Sequence, residues 1–299
     1  MLSFFRTRRF AIDAAGFALS LVAFYITTKV APPLVDMIGG VASSVLFAVG
    51  LDLLLALQGY LLHRRQQLMF GREMVRDGAL FVYPDFVMND EVAQTLVQHN
   101  QQMLYRRPRS RFSEHTTHRI DIPRVVASND IRALLHVSDV FRANATTTDM
   151  VVDRVILDSA QCSFMSFGLS SNDCTHLYLE VDPDPMFEIL PDDNGSEYVR
   201  MTSDGALFES TPKVQYGVVV RYAPELDLAQ DRRWFLVAGL GPLGTTAAAK
   251  LLAKRWPELL KRVGSTNDFV LVVSTGAGTD DYPRLVALFI AHAAELVAL

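Results

Sequence analysis

Two long apolar stretches near the N-terminus constrain the fold of this chain more than any other feature. They run from about residue 10 to 30 and from about residue 37 to 62. Each has the roughly 20 residues that an α-helix needs to cross a hydrocarbon core about 30 Å thick. Pro32, Pro33 and Asp36 fall between the stretches and predict a short turn at residues 31–36. The sequence therefore predicts a hairpin of two transmembrane helices.

Basic residues around the two spans predict the orientation of the hairpin. Arg6, Arg8 and Arg9 precede the first span, and Arg64 and Arg65 follow the second. Because basic residues are enriched on the cytoplasmic side of membrane helices, we expect a two-pass inner-membrane protein with both termini in the cytoplasm. A cleavable signal peptide is the alternative, but the second span and the lack of a convincing cleavage site argue against it.

The second span has one face of small and polar residues. Its members recur at every fourth position: Gly40, Ser44, Ala48, Asp52 and Ala56. Small residues at this spacing let membrane helices approach closely, which predicts a homo-oligomer. Asp52 lies about 15 Å from the cytoplasmic end of the span, near the bilayer midplane. Its carboxyl group either hydrogen-bonds to Ser20 or Thr27 of the first span or lines a pore in an oligomer.

Charge separates the first 65 residues from the rest of the chain. Residues 1–65 hold six basic and three acidic side chains, whereas the remainder holds 22 and 30, so the net charges are +3 and −8. Half of the residues are hydrophobic, which argues against intrinsic disorder. The acidic part lacks the excess of Lys and Arg that a nucleic acid polymer requires. We therefore expect the lipid bilayer and a small ligand as partners, and no nucleic acid polymer.

Alternating strand and helix patterns predict an α/β organisation after the hairpin at residues 1–65. We expect a membrane-proximal helix and connecting region over residues 66–122, then a cytoplasmic Rossmann-like domain with a mainly parallel sheet over residues 123–299. Predicted helices cover residues 66–77, 90–104, 130–141, 245–263 and 282–297. Predicted strands cover residues 79–84, 124–127, 150–157, 163–167, 214–221, 234–238 and 269–273. The strands at 214–221 and 234–238 predict an antiparallel hairpin. Residues 105–124 predict an exposed loop, and residues 181–196 predict a loop region with room for one short strand.

The most specific motif follows the strand at 234–238. Gly239, Gly241 and Gly244 form a G-x-G-x-x-G pattern that leads through Thr245 into an Ala-rich helix. Such glycines let the backbone approach a phosphate, which the helix N-terminus attracts. The complete dinucleotide fingerprint also needs an acidic residue at the end of the next strand, but that strand ends in Ser-Thr-Gly. We therefore expect contact with a phosphate or nucleotide and no bound cofactor, or else a tight turn whose glycines serve packing alone.

A Ser-Asn-Asp sequence occurs twice, at residues 128–130 and 171–173, each time before a helical pattern. These residue types cap helices because their side chains accept hydrogen bonds from first-turn amides. Alternatively, both helix N-termini line one cleft at the carboxyl ends of parallel strands, where ligands bind in open α/β sheets. On that interpretation, the residues that face the glycine turn are Gly168, Ser170, Ser171, Asn172 and Asp173.

Residues 125–275 resemble a domain found in many uncharacterised bacterial proteins. A Ser-Asn-x-x-Thr turn, a Tyr-Gly-Val-Val strand and an Ala-Gly-x-Gly-x-x-Gly-Thr turn carry the resemblance, at residues 171–175, 216–219 and 238–245. The resemblance implies where the domain begins and ends, and it implies no activity. Together with the hairpin, the arrangement is similar in outline to membrane effectors of bacterial antiviral signalling, a similarity of architecture only.

These features predict a membrane-anchored sensor or effector. Its α/β domain is expected to bind a nucleotide-like anion and to drive assembly or rearrangement of the transmembrane helices. The alternatives are a membrane-tethered nucleotide hydrolase with Asp173 or Glu180 as its carboxylate, and a structural interaction module. Weaker patterns are His115 and His118 as metal ligands, and Cys174 as a nucleophile with a pKa lowered by a helix N-terminus. We expect neither a metal centre nor a catalytic residue.

Overall fold

The computed structural model describes most of the chain after residue 31. The described residues are 32–84, 105–106, 120–121, 128–143, 146–157, 161–191, 197–224, 232–276, 278 and 280–291, with the helical positions Ala18, Ser20, Val22 and Tyr25. The chain divides into two compact units, Met1–Arg64 and Arg65–Leu299. The helix predicted at 90–104, the strand predicted at 124–127 and most of the first predicted span lie outside the described residues.

A single long helix, α1 (Pro32–Phe70), contains the second predicted span. Within it, Ser43–Phe70 is long and apolar enough to cross a membrane, and it is the one such helix among the described residues. Many of its large apolar side chains are exposed: Phe47, Leu51, Leu54, Leu55, Leu57, Tyr60 and Leu61. A helix that is apolar on all sides is typical of a segment surrounded by lipid or protein.

The structure corrects the turn expected at residues 31–36. Pro32, Pro33 and Asp36 lie within the first two turns of α1. Proline is tolerated in the first turn because the first amide groups of a helix have no acceptor within it. The two prolines therefore mark the start of a helix rather than a loop.

The last turn of α1 belongs to the second unit and is followed by a short break. Gly71 has a φ of 88° and separates α1 from α2 (Arg72–Arg76). Strand β1 (Ala79–Tyr83) comes next. Apart from the break at Gly71, this confirms the helix predicted at 66–77 and the strand predicted at 79–84.

A seven-stranded sheet forms the centre of the second unit. The strands after β1 are β2 (Tyr105–Arg106), β3 (Ile120–Asp121), β4 (Thr148–Val152), β5 (Phe164–Phe167), β6 (Phe187–Pro191), β7 (Glu197–Met201), β8 (Leu207–Glu209), β9 (Val214–Tyr222), β10 (Trp234–Gly239), β11 (Phe269–Gly276) and β12 (Arg284–Ile290). The order across the large sheet is β12-β11-β9-β10-β5-β1-β4. The parallel pairs are β1–β4, β1–β5 and β5–β10, and the antiparallel pairs are β9–β10, β9–β11 and β11–β12. Five of the seven strands therefore run in one direction, which confirms an α/β fold with a largely parallel sheet.

The predicted hairpin of β9 and β10 is confirmed, and it changes the order of the sheet. Because β9 directly precedes β10 in the chain, their short connection favours antiparallel pairing. As a result, β9 lies between β10 and β11, whereas the classical dinucleotide fold places the corresponding parallel strands side by side.

Helices and a small sheet cover the two faces of the large sheet. The helices after α2 are α3 (Ser128–Arg142), α4 (Asp153–Leu157), α5 (Asp173–Val181) and α6 (Pro242–Val263). One face packs against α3, α6 and the end of α1, and the other against α4, α5 and the antiparallel sheet β6-β7-β8. The helices predicted at 130–141 and 245–263 are confirmed. The loops predicted at 105–124 and 181–196 contain the short strands β2, β3 and β6.

Two predicted elements are wrong in type. Residues 284–290 form strand β12 instead of part of a helix at 282–297, and Leu288 and Phe289 pack on opposite faces of the sheet. Their spacing also fits a helix, but pairing with β11 decides the structure. The strand predicted at 150–157 ends at Val152, because Asp153 starts α4 and its Oδ1 accepts a hydrogen bond from the Arg154 amide at 2.9 Å.

Arg221 on β9 joins several elements in the core. It is fully buried, and its guanidinium donates to the carbonyl oxygens of Gly264 at 2.9 Å and Asn267 at 3.1 Å. Its Nη1 lies 3.7 Å from the sulfur of Met69, and its charge lies over the ring of Phe269. Burial lowers the pKa of Arg221 to about 10. One side chain therefore connects the end of α6, the loop before β11 and the end of α1.

We expect Arg221→Lys to lower the free energy of unfolding by about 2–4 kcal/mol, because an ammonium group cannot reach both carbonyls in the geometry of a guanidinium. Arg200→Lys is the matched control, because Arg200 pairs with Glu188 where both side chains are partly exposed. It should cost less than about 0.5 kcal/mol. Urea denaturation of the full chain in detergent, followed by tryptophan fluorescence, measures both; equal losses would contradict the role of Arg221.

Candidate functional site

The neighbouring carboxyl ends of β5 and β10 form a switch point in the sheet. Phe167 lies opposite Val237 in the parallel pair, and the Gly168 amide donates to the Val237 carbonyl at 3.1 Å. From these ends, α5 covers one face of the sheet and α6 covers the other. Ligands of open α/β sheets bind in the crevice at such a point. Two turns were singled out in the sequence, at residues 168–173 and 239–245. They therefore begin next to each other.

Asn172 holds the turn after β5 in place. Its Oδ1 accepts a hydrogen bond from the Cys174 amide at 2.9 Å and so caps α5. Its Nδ2 donates to the carbonyl oxygens of Phe167 at 2.8 Å and Val82 at 3.3 Å. The side chain is fully buried and ties the ends of β1 and β5 to the start of α5. The capping interpretation therefore accounts for Asn172.

The other polar residues of this turn differ in accessibility. Ser171 is exposed and Ser170 is partly exposed, so both can meet a ligand. The side chain of Asp173 is buried, with the residue 1% exposed, and its amide donates to Oδ2 of the equally buried Asp153 at 3.2 Å. A carboxylate shielded from solvent does not reach a dissolved substrate, so the geometry gives no support to a hydrolytic role for Asp173.

The turn after β10 packs very closely against β9. A Cβ atom on Gly244 would lie 2.0 Å from the Tyr216 carbonyl oxygen, and one on Gly217 would lie 2.2 Å from the Gly244 carbonyl oxygen. A Cβ atom on Gly239 would lie 2.2 Å from the Thr245 amide nitrogen. These separations are well below van der Waals contact. Close backbone packing therefore accounts for the glycines at 239 and 244.

Amide groups at the start of α6 already have acceptors within the protein. The Leu243 amide donates to Oε1 of Gln215 at 3.0 Å. The Gly244 amide donates to the Gly241 carbonyl at 3.1 Å, and Pro242 has no N–H group. The carboxamide of Gln215 therefore takes the place that an anion occupies at an open helix N-terminus. A phosphate that binds the Leu243 amide must replace it.

The close packing of the glycine turn predicts a specific loss of stability. We expect Gly244→Ala to lower the free energy of unfolding by about 2–4 kcal/mol, because the added methyl group forces two backbones apart. Gly276→Ala at the end of β11 is the control, since its Cβ would meet nothing within 4 Å. That change should cost less than about 0.5 kcal/mol. Thermal unfolding of both variants measures the difference, and similar midpoints would exclude the close approach.

Helices α3 and α6 lie side by side and begin at the same edge of the sheet. The hydroxyl of Thr246, at the start of the second turn of α6, donates to the Asn129 carbonyl in the first turn of α3 at 3.2 Å. The first Ser-Asn-Asp sequence thus opens a helix next to the glycine turn. The second opens α5 on the other face, so the two sequences border the same edge from opposite sides.

Two ion pairs, about one helical turn further along α3 and α6, were missed by the sequence analysis. Arg132 on α3 pairs with Asp280 at 2.7 Å, and Lys250 on α6 pairs with Asp281 at 3.1 Å. Both aspartates belong to the loop between β11 and β12, which is thereby attached to the two helices. Arg132 is half-exposed, whereas the Asp280 side chain is 3% exposed. The partners are far apart in the sequence, so only the abundance of Asp after β11 could have indicated them.

Asp130 lies in the first turn of α3. Burial raises the pKa of Asp130 from 3.8 to about 6. The folded protein therefore binds this proton more tightly than the unfolded chain does. It follows that the contribution of Asp130 to stability falls as the pH rises from about 4 to 6.

Asp130→Asn should therefore stabilise the protein at pH 7.5 by up to about 3 kcal/mol, and the gain should disappear near pH 4. Asp139→Asn, at an exposed position of the same helix, is the control and should give no such pH dependence. Chemical denaturation at a series of pH values measures the difference between each variant and the parent protein. A constant difference for Asp130→Asn would show that its carboxyl is not shifted by burial.

The remaining predicted sites fall in three places. Cys174 is fully buried, and burial raises its pKa well above the usual value, which argues against the weaker alternative of a thiol activated by the helix N-terminus. His115 and His118 lie outside the described residues, and no described group of three or more His, Cys, Asp or Glu could hold a metal ion.

The predicted membrane stripe lies along α1, where Asp52 is half-buried and the others are exposed: Gly40, Ser44, Ala48 and Ala56.

Comparison with known proteins does not extend this description. No protein-family model, curated protein or solved structure matches the chain. The resemblance of residues 125–275 to a bacterial domain family stays a prediction, and the function has to be argued from the geometry.

Proposed function

We propose that this protein is a membrane-anchored sensor or effector. Its α/β domain binds a small nucleotide-like anion at the carboxyl edge of the sheet, and binding changes the assembly or arrangement of its membrane helices. The two predicted spans cross the inner membrane as a hairpin with both termini in the cytoplasm. Copies of the chain associate through the stripe on α1. The domain binds its ligand and does not transform it.

The binding part of the proposal is supported by the switch point between β5 and β10. Helices α5 and α6 start there, and α3 starts beside α6. Helix N-termini carry partial positive charge, which favours an anion at this edge. Arg132 and Lys250 add two basic side chains to an otherwise acidic domain. The exposed residue Ser171 lies in the turn after β5, on the opposite side.

The position of Phe70 is the observation that carries the signalling part of the proposal. Phe70 is the last residue of α1, the helix that contains the candidate membrane span. Its ring centroid lies 5.1 Å from that of Phe141 on α3, 5.8 Å from that of Trp256 on α6 and 5.2 Å from that of Phe235 on β10. Three elements that border the candidate site therefore meet at the end of α1.

Polar contacts on both sides of Phe70 attach the same segment to the domain. Gln66 donates from Nε2 to the Val140 carbonyl on α3 at 2.6 Å. Oε2 of Glu73 accepts hydrogen bonds from the amide and hydroxyl of Ser163, just before β5. Because protein cores are close-packed, a shift of α3 or α6 at the ligand is not absorbed between the helices. It moves the surroundings of Phe70 and so acts on α1.

Ligand-dependent crosslinking in native membranes tests the proposed function. An Ala48→Cys, Cys162→Ser variant places a thiol on the membrane stripe and removes the half-buried native one. We expect ATP, GTP or a cyclic dinucleotide to raise the unfolding temperature by a few degrees and to change the disulfide yield at least about twofold. If none of these ligands changes either quantity, the proposal fails.

Phe70→Leu should separate binding from signalling. The smaller side chain loses contacts with α3, α6 and β10 but stays apolar, so the nucleotide affinity should change by less than about twofold. The ligand-dependent change in crosslinking should fall by half or more. Leu68→Ala, at an exposed position of the same helical turn, is the control and should leave both quantities unchanged. An unchanged crosslinking response in Phe70→Leu would show that Phe70 does not transmit binding.

A further inference from the structure

The loop between β11 and β12 neutralises two basic side chains on α3 and α6. Arg132 and Lys250 stand on neighbouring helices that begin at the carboxyl edge, and each is bound by an aspartate of this loop. The Lys250 side chain is mostly buried, whereas that of Asp281 is exposed. The two cations are therefore already paired with carboxylates from the same chain.

Asp280 is held in an unfavourable position. Its Oδ1 accepts the hydrogen bond from Arg132, but its buried Oδ2 has no hydrogen-bond partner among the described residues. An oxygen buried in this way loses its hydration without a replacement, which destabilises the attached state of the loop. Release of Asp280 into water restores that hydration. The attached loop can therefore be displaced by a competing anion.

The other titratable groups nearby do not remove the positive charge of this cluster. His136 lies on α3 close to both basic residues, and burial together with the charge of Lys250 lowers its pKa. The charges of Asp280 and the exposed Asp139 raise the pKa of His136. Arg132 and Lys250 are the two basic side chains that pair with the aspartates of this loop.

We propose that Arg132 and Lys250 form an anion subsite for a phosphorylated ligand, and that Asp280 and Asp281 occupy this subsite until the ligand arrives. The inference rests on the proposed function and identifies residues for it. The ligand's phosphate groups replace the two aspartates, so that Asp280 and Asp281 detach from α3 and α6. The ligand class is a nucleotide with more than one phosphate, because two separate cations require neutralisation.

At the start of α6, the carboxamide of Gln215 also occupies a position that a phosphate group could take. It accepts the hydrogen bond of the Leu243 amide, as a phosphate oxygen would. The loop and Gln215 together mean that the ligand-free site is filled by groups of the protein. Affinity is then reduced by the fraction of molecules in which these groups have left, and it rises when they are removed.

Calorimetric titration of the full chain in detergent with ATP and with inorganic pyrophosphate tests this subsite. Asp281→Asn should tighten binding about threefold, and Asp280→Asn about tenfold, because each removes a competing carboxylate. The double variant Arg132→Gln, Lys250→Gln should weaken binding at least about tenfold, because it removes two charged contacts to phosphate. Arg255→Gln, which breaks a surface ion pair elsewhere on α6, is the matched control and should bind like the parent protein.

The outcomes separate this inference from the proposed function. If the parent protein binds ATP and the double variant binds it equally well, the subsite is wrong and the proposed function stands. Weaker binding by Asp281→Asn would show that the loop supports the ligand instead of competing with it. Because Asp281 is exposed, this variant gives the result without a change in the core, whereas Asp280→Asn also affects a buried contact. If neither the parent nor Asp281→Asn binds either ligand, the subsite is wrong, and the proposed function is then decided by the results with GTP and the cyclic dinucleotide.

Discussion

The burial of Phe70 between α3, α6 and β10 is the contact on which the account of this protein depends. Removing a buried aromatic ring of this kind typically costs about 3–5 kcal/mol, so the end of α1 cannot leave the domain without opening its core. Gln66 and Glu73 strengthen the attachment on both sides. The helix that is long and apolar enough to span a membrane therefore ends inside the packed core, where it contacts the elements that start at the candidate site.

The candidate site itself is occupied by groups of the protein. Gln215 accepts from an amide at the start of α6, and Asp280 and Asp281 neutralise Arg132 and Lys250. Gly239 and Gly244 in the turn after β10 are required by close backbone packing, so the G-x-G-x-x-G pattern is weaker support for phosphate binding than its sequence indicates. The stronger support is the switch point between β5 and β10, together with basic side chains that become available when the loop detaches.

Local sequence patterns were sufficient for the elements whose structure depends on nearby residues. The helices at 130–141 and 245–263, the hairpin of β9 and β10 and the start of α5 at Asn172 all follow from spacing, turns and caps. Prediction failed for elements whose structure is determined by pairing with residues distant in the sequence. The apolar residues of Arg284–Ile290 fit a helix until β11 is available as a partner. Arg132 and Asp280 are 148 positions apart, so no local spacing connects them.

Hydrogen exchange of the full chain in detergent, with and without ATP, tests the central claim most directly. Amides of residues 66–77, which surround Phe70, lie at the far ends of α3 and α6 from the ligand site. The account predicts that ATP changes exchange at the starts of α3 and α6, in the loop between β11 and β12, and also in residues 66–77. A change confined to the carboxyl edge, with residues 66–77 unaffected at saturating ATP, would contradict coupling between the site and the membrane helix.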